Sequence, residues 1–372
     1  MKRVLCATAL WLTALAPAGA AEISYPTLAL GAPAPDFNLP GVDGRAHALK
    51  DFAAAPVLVV VFTCNHCPTA QYYEERLKQL VTDYSPKGVA VVAISPNDPR
   101  SVRLDELGWS DLGDSFEEMK LRAKERQFNF PYLYDGESES VARAYGPVAT
   151  PHAFVFDAAR KLRYVGRLDD SERPQGVKTS YVRDAVEALL AGKEPPLTQT
   201  KAVGCSVKWG GKAGLVKAYL DKLAAEPVTL TPADAGTLQT LRKNPSGKFR
   251  LAAFWASRSA PCVAGFHEFV TINRMYRHRD FELVTVSVNR PDENESVLEF
   301  LRKQQAANRN LIFAHAEPQK LIKAFDPAWE GTVPYTVLIS PEGEIIARQL
   351  GSIEPLALRR AIVKAMNERK PW

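Results

Sequence analysis

The chain has 372 residues, 46% hydrophobic and 24% charged, which is ordinary globular composition with enough apolar sequence for more than one core. Its net charge is +5, and Lys2 and Arg3 at the extreme N-terminus account for part of that. The rest is too thinly spread to support binding to nucleic acid or anionic lipid, and five cysteines in this length are no disulfide scaffold.

Residues 1–21 read as a secretory signal: Lys2-Arg3, then the short apolar run Val4 to Ala16, then small residues that place cleavage after Ala20 or Ala21. The run is shorter than the roughly 18 to 20 apolar residues that span a bilayer. Cys6 leaves with this segment, and no later stretch is long and apolar enough to span. The expectation is an exported chain in a bacterial periplasm, without stable membrane insertion after cleavage.

Residues 31–52 read as an opening hairpin, and Val57 to Phe62 is a continuous apolar, β-branched run, the signature of a buried central strand. Pro68 to Tyr84 reads as a helix, Val89 to Ile94 as a second buried strand, and Asp114 to Gln127 and Glu139 to Tyr145 as helices. Residues 149–166 give two strands joined by a turn, and Tyr181 to Ala191 a closing helix. Helices are expected at Ala213 to Ala225 and Pro232 to Lys243. The earlier order then repeats. Phe249 to Trp255 is a strand, Pro261 to Tyr276 a helix, Phe281 to Val288 a strand and Asn294 to Ala307 a helix. A short apolar run (311–314), two strands over 332–351 and a helix from Pro355 to Glu368 follow.

This internal duplication of βαβ followed by ββα predicts an α/β protein with two tandem domains, each a central mixed sheet flanked by helices. The expected division is a signal (1–21), a first domain (22–192), a linker (193–212) containing "GCSVKW", and a second domain (213–372).

The chemistry concentrates in "TCNHCP", residues 63–68, between a buried strand and a helix. The N–H groups and dipole at a helix N-terminus favour an anion, so Cys64 is expected as the attacking thiolate. Cys67, one turn on, is placed to resolve a mixed disulfide. His66 brings positive charge that stabilises the reduced state. Zinc needs about four ligands, which close spacing does not supply. Covalent haem needs a histidine directly after the second cysteine, where Pro68 stands. Copper(I) held by the two thiols and His66 stays open, as does a purely structural bridge.

"APDFNLP", "VFTCNHCP" and "VATPHAFVFD" together resemble the thioredoxin-like superfamily on its peroxiredoxin-like branch (redoxin, AhpC/TSA-like), over roughly residues 25 to 210. The resemblance implies a thioredoxin-like fold and a cis peptide at Thr150-Pro151 facing the CxxC, with Pro151 orienting a substrate strand. "GCSVKW" resembles the tail of redoxins that carry the CNHCP motif. The pattern departs from peroxiredoxins proper: Thr63 is adjacent to Cys64, so their Pro-x-x-x-Thr-x-x-Cys arrangement is missing, which weakens peroxide reduction as the activity.

The second unit resembles a thioredoxin domain of altered active site: "FWASRSAPC" has Ser259 where the attacking cysteine would be, keeps Cys262, and has Val333-Pro334 at the cis-proline position. A lone thiol there cannot cycle, so Cys262 is either a buried core residue or a partner for Cys205. Cys205 is in turn either a spare thiol or a third redox thiol folded back onto the CxxC. His47, His152, His267, His278 and His315 form no close-spaced ligand set.

The expectation is therefore a metal-free thiol–disulfide oxidoreductase that needs no cofactor. Cys64 attacks, Cys67 resolves, His66 tunes, and Thr150 and Pro151 present the substrate. The partners are protein or small-thiol substrates and a redox partner protein. Copper delivery and thiol peroxidase activity are the alternatives.

Overall fold

The computed structural model describes residues 24–314 and 317–369. The expected signal segment and His315 lie outside the described residues.

The first unit opens with the hairpin β1 (Asn38–Pro40) and β2 (Ala46–Ala48), followed by β3 (Leu58–Phe62), α1 (Pro68–Tyr84), β4 (Ala90–Ser95), α2 (Phe116–Arg126) and β5 (Tyr132–Tyr134). It continues with α3 (Ser140–Tyr145), β6 (Ala149–Thr150), β7 (His152–Phe156), β8 (Leu162–Gly166) and α4 (Tyr181–Leu190), then the short β9 (Cys205–Ser206). Its main sheet has the order β5-β4-β3-β7-β8, with β3 and β4 parallel and β7 and β8 antiparallel.

The second unit comprises α5 (Ala213–Ala224), β10 (Thr231–Ala233), α6 (Ala235–Lys243), β11 (Phe249–Trp255), α7 (Ala260–Tyr276), β12 (Phe281–Ser287) and α8 (Asn294–Lys303). After these come β13 (Arg309–Phe313), α9 (Pro318–Phe325), β14 (Tyr335–Ile339), β15 (Ile345–Leu350) and α10 (Pro355–Arg369). Its sheet order, β10-β13-β12-β11-β14-β15, matches the first strand for strand and adds β10 at one edge.

The protein is thus an α/β chain with two mixed sheets flanked by helices, the first of them thioredoxin-like. The central strands explain why. Every residue of β3 is buried, with Val59 and Val61 facing one core layer and Leu58, Val60 and Phe62 the other. Burying side chains of this size contributes roughly 1.5–3 kcal/mol each. The fully buried β11 does the same for the second sheet.

Among the short elements that escape the sequence reading are β5, whose three residues are too few to show a period, α9, and the two-residue strands β6 and β9. The helix expected from Pro232 begins only at Ala235, because Thr231–Ala233 form β10 beside β13. A further difference bears on function. Residues expected to form a linker instead pack on the first unit. Thr198 and Thr200 bond the backbone of Val165, and Val207 and Trp209 are buried in the first unit's core. Apolar side chains and backbone pairing hold this stretch, although its glycine content suggests a tether.

The two units also touch. Leu104 and Leu107, from the loop after β4, pack against the second core, and Tyr276 Oη donates to the Ser110 carbonyl at 2.9 Å. Arg279 lies 3.4 Å over the Trp109 ring.

Candidate active site

The site is built where β3 ends and α1 begins. Thr63 continues the strand by donating its N–H to Ile94, and the chain then turns into the helix with Cys67 as its N-cap and Pro68 as its first residue. Proline suits that position because the N–H it lacks would have no partner within the helix. This turn brings Cys64 and Cys67 against Thr150, which lies in β6 just before β7, the strand that pairs with β3. Cys64 Sγ lies 3.2 Å from Thr150 Oγ1, and the Cys67 thiol donates to the Thr150 carbonyl at 3.1 Å. The Thr150-Pro151 peptide is cis, as is Val333-Pro334 in the second unit.

Beneath the thiols lies a buried ion pair. His66 Nδ1 is 2.6 Å from Asp114 Oδ2, and both residues are buried. A carboxylate only accepts, so the Nδ1 proton points at Asp114. Asp114 also accepts N–H donations from Asn65 at 2.9 Å, His66 at 3.0 Å and the Asn97 amide at 2.7 Å. Burial penalises both charges, but mutual attraction and these donors outweigh it. His66 is raised above its ordinary 6.5 and Asp114 held below its ordinary 3.8.

The thiols respond differently from the sequence expectation. Cys64 is only 3% exposed, and its Sγ sits 3.6 Å from a His66 nitrogen whose proton is already given to Asp114. Burial, its hydrogen bond to Cys67 and the Asp114 charge hold the Cys64 thiol well above the ordinary range. Burial also opposes a thiolate at Cys67. There the donors prevail: the Cys205 and Cys64 thiols, the Ala70 N–H in the first turn of α1, and the His66 charge bring Cys67 well below the ordinary value. The order of the two thiols is thus the reverse of the expectation: Cys67, at the helix end, is the more readily ionised and Cys64 the less. Cys205 packs on the same cluster, with its N–H 3.4 Å from Cys67 Sγ.

The structure thus gathers Cys64, His66, Cys67, Thr150 and Cys205, with Pro151 following Thr150. It leaves Cys262 apart, buried in the second core with Trp255 and Phe266. Ser259 is the N-cap of α7, the place Cys67 has on α1. Asp114 is the residue sequence reasoning missed. It was assigned only as the start of a helix, and lies 48 positions from His66.

These features define a thioredoxin-like domain with a CxxC at a helix N-terminus. The AhpC/TSA family matches residues 30–165, and the N-terminal region of the chain belongs to that redoxin family. No family match describes the second unit. The chain is 25% identical over 140 residues to thiol-disulfide oxidoreductase ResA of Geobacillus thermodenitrificans (strain NG80-2), covering 37% of this chain and 69% of that protein. It is also similar to the crystal structure of an uncharacterized conserved protein from Geobacillus kaustophilus, with 40% identity, 50% of this chain, 95% of that one and a TM-score of 0.44. A hypothetical protein from Sinorhizobium meliloti 1021 shows 36% identity, 50% of this chain, 97% of that one and a TM-score of 0.44. The N-terminal region is a thioredoxin-like redoxin distantly related to thiol-disulfide oxidoreductases.

Proposed function

We propose that this protein is a thiol–disulfide oxidoreductase that exchanges disulfides with protein or small-thiol substrates through Cys64 and Cys67. The observation that carries the reading is the placing of both sulfurs against Thr150 at the N-terminus of α1. Oxidation joins the two sulfurs and releases two protons and two electrons. Reduction returns the two electrons and two protons and restores both thiols, of which Cys67 is the more readily ionised at the helix end. Thr150 and Pro151 position substrate, and the His66–Asp114 pair fixes the floor of the site. No cofactor enters this cycle.

The test is insulin disulfide reduction by the purified full chain in chelator. Loss of turnover in Cys64→Ser and in Cys67→Ser supports the reading, and turnover that survives both removes it.

A copper module is the second reading, because Cys64, His66 and Asp114 offer donor atoms within 4.8 Å of one another. Copper(I) prefers thiolates to a carboxylate, and the His66–Asp114 contact is already complete as an ion pair. Copper bound per chain after reconstitution, set beside disulfide exchange, separates the two. Peroxide turnover tests the thiol-peroxidase alternative.

We place the protein in the periplasm on the pattern of residues 1–21, with protein thiols and a redox partner protein as its partners. Cell fractionation and the N-terminal sequence of the mature chain test this placement. Among the described residues no helix is long and apolar enough to cross a membrane.

A further inference from the structure

The stretch around Cys205 is seated on the thiols. β9 pairs antiparallel with β6, Thr150 opposite Cys205 and Ala149 opposite Ser206. Gly204 makes this approach possible: a Cβ there would lie 2.0 Å from the Thr150 carbonyl oxygen. Downstream, Val207 and Trp209 are buried in the first core, and Lys208 Nζ meets Glu106 at 2.6 Å. The Lys208 backbone bonds both Asn97 Oδ1 and the Asp98 N–H. The segment is anchored from behind and delivers one cysteine forward. The Cys205 N–H lies 3.4 Å from Cys67 Sγ, and its side chain packs against the Cys64–Cys67 cluster. Cys64 and Cys67 are buried, whereas Cys205 is partly exposed.

A strand that carries a cysteine and pairs with the residue touching both buried sulfurs has the form of a substrate held at the mixed-disulfide stage. We propose that Cys205 is the third thiol of the redox centre, and that the oxidised centre exchanges between a Cys64–Cys67 disulfide and a Cys67–Cys205 disulfide. This rests on the redox reading of Cys64 and Cys67 and names the route by which that buried pair meets its substrates.

The exchange needs no outside oxidant. Cys205, as thiolate, attacks Cys67 Sγ. The Cys67–Cys205 bond forms, the Cys64–Cys67 bond breaks, and Cys64 leaves as thiolate and takes the proton that Cys205 gave up. A client thiolate then attacks the more accessible Cys205 sulfur, forming a client–Cys205 bond and expelling Cys67 as thiolate. The client's second thiolate displaces Cys205, so the client is oxidised to a disulfide and the centre reduced by the same two electrons. Run backwards, the sequence reduces a client disulfide.

The test uses the full chain, oxidised with diamide, alkylated and digested with trypsin without reductant. Cys64 and Cys67 share the peptide 51–76, while Cys205 lies in 202–208 and Cys262 in 259–274. The expected result is a crosslink between 51–76 and 202–208 that persists in Cys64→Ser and is lost in Cys67→Ser. The proposal is overturned if Cys64→Ser folds, by circular dichroism, and leaves Cys67 and Cys205 both alkylated, or if Cys205 is joined to 259–274. Should Cys64→Ser fail to fold, the wild-type digest decides, and absence of the crosslink there overturns the proposal. Cys205→Ser separates this from the parent reading. If it still closes Cys64–Cys67 while the crosslink is absent elsewhere, only the third thiol is wrong. If it does not close either, both fail.

Discussion

Asp114 holds His66 by 2.6 Å between Oδ2 and Nδ1, in a part of the site where both side chains are buried. Breaking a buried pair by removing one partner costs about 3–5 kcal/mol, because the other charge is left uncompensated. Asp114→Asn is expected to lower the urea-unfolding free energy by that order near pH 6. The raised His66 contributes stability that is complete below its ordinary 6.5 and fades as pH rises through its folded value. The depressed Asp114 contributes above its ordinary 3.8 and is lost as pH falls through its folded value. The deficit of the variant should therefore shrink at both high and low pH. A deficit that stays flat from acid to alkaline pH contradicts the ion pair.

The same pair sets the charge that the sulfurs feel. His66→Gln leaves Asp114 ionised among its remaining donors and unpaired beside Cys64. That disfavours the reduced thiolate form and should lower the reduction potential of the pair by about 30 mV, equal to about 1.4 kcal/mol for two electrons. The double variant His66→Gln/Asp114→Asn should return toward the wild-type potential. Equal shifts in the single and double variants would show that the two residues do not act as a unit.

Cys67 is the thiol expected to ionise first. Ultraviolet thiolate absorbance followed through a pH titration of the reduced chain should retain its lowest step in Cys64→Ser and lose it in Cys67→Ser. The reverse pattern would restore the sequence-based assignment to Cys64.

Gly204 is the residue that admits the strand. Gly204→Ala puts a methyl against the Thr150 carbonyl, at a φ of 153° that side chains rarely adopt. Forcing extra volume into a packed contact costs about 1–3 kcal/mol. The strand should lift, and Cys64 should be alkylated faster than in the wild-type protein. An unchanged alkylation rate would mean that something other than this strand shields Cys64.

Much of this architecture was legible because buried central strands announce themselves. The continuous apolar runs of β3 and β11 and the Pro68 start of α1 leave local patterns. Asp114 leaves none: its role comes from a contact 48 positions away, and "GDSFEE" reads equally well as a helix start. The stretch 193–212 misled for the opposite reason. Its glycines resemble a flexible tether, yet Gly204 is there so that two backbones can meet, and Trp209 anchors the segment through an edge-on contact with Tyr25 at 4.6 Å. Cys205 was visible as a third thiol, but only the fold chooses between Cys67 and Cys262 as its neighbour.

The second unit keeps the fold without a dithiol. The full chain carrying Cys64→Ser and Cys67→Ser together should show no insulin reduction, and Cys262→Ala alone should leave turnover intact. Residual turnover in the double variant that disappears on adding Cys262→Ala would assign chemistry to the second unit.

The most direct measurement is a redox titration of the full chain in glutathione buffers containing chelator, with free thiols trapped and peptide 51–76 weighed at each potential. The expected result is a single two-electron transition in which that peptide loses two alkylatable thiols in Cys205→Ser, at a potential that chelator does not move. Thiols that stay alkylatable at every potential, in a protein that instead retains copper in stoichiometric amount, would contradict the redox reading of Cys64 and Cys67.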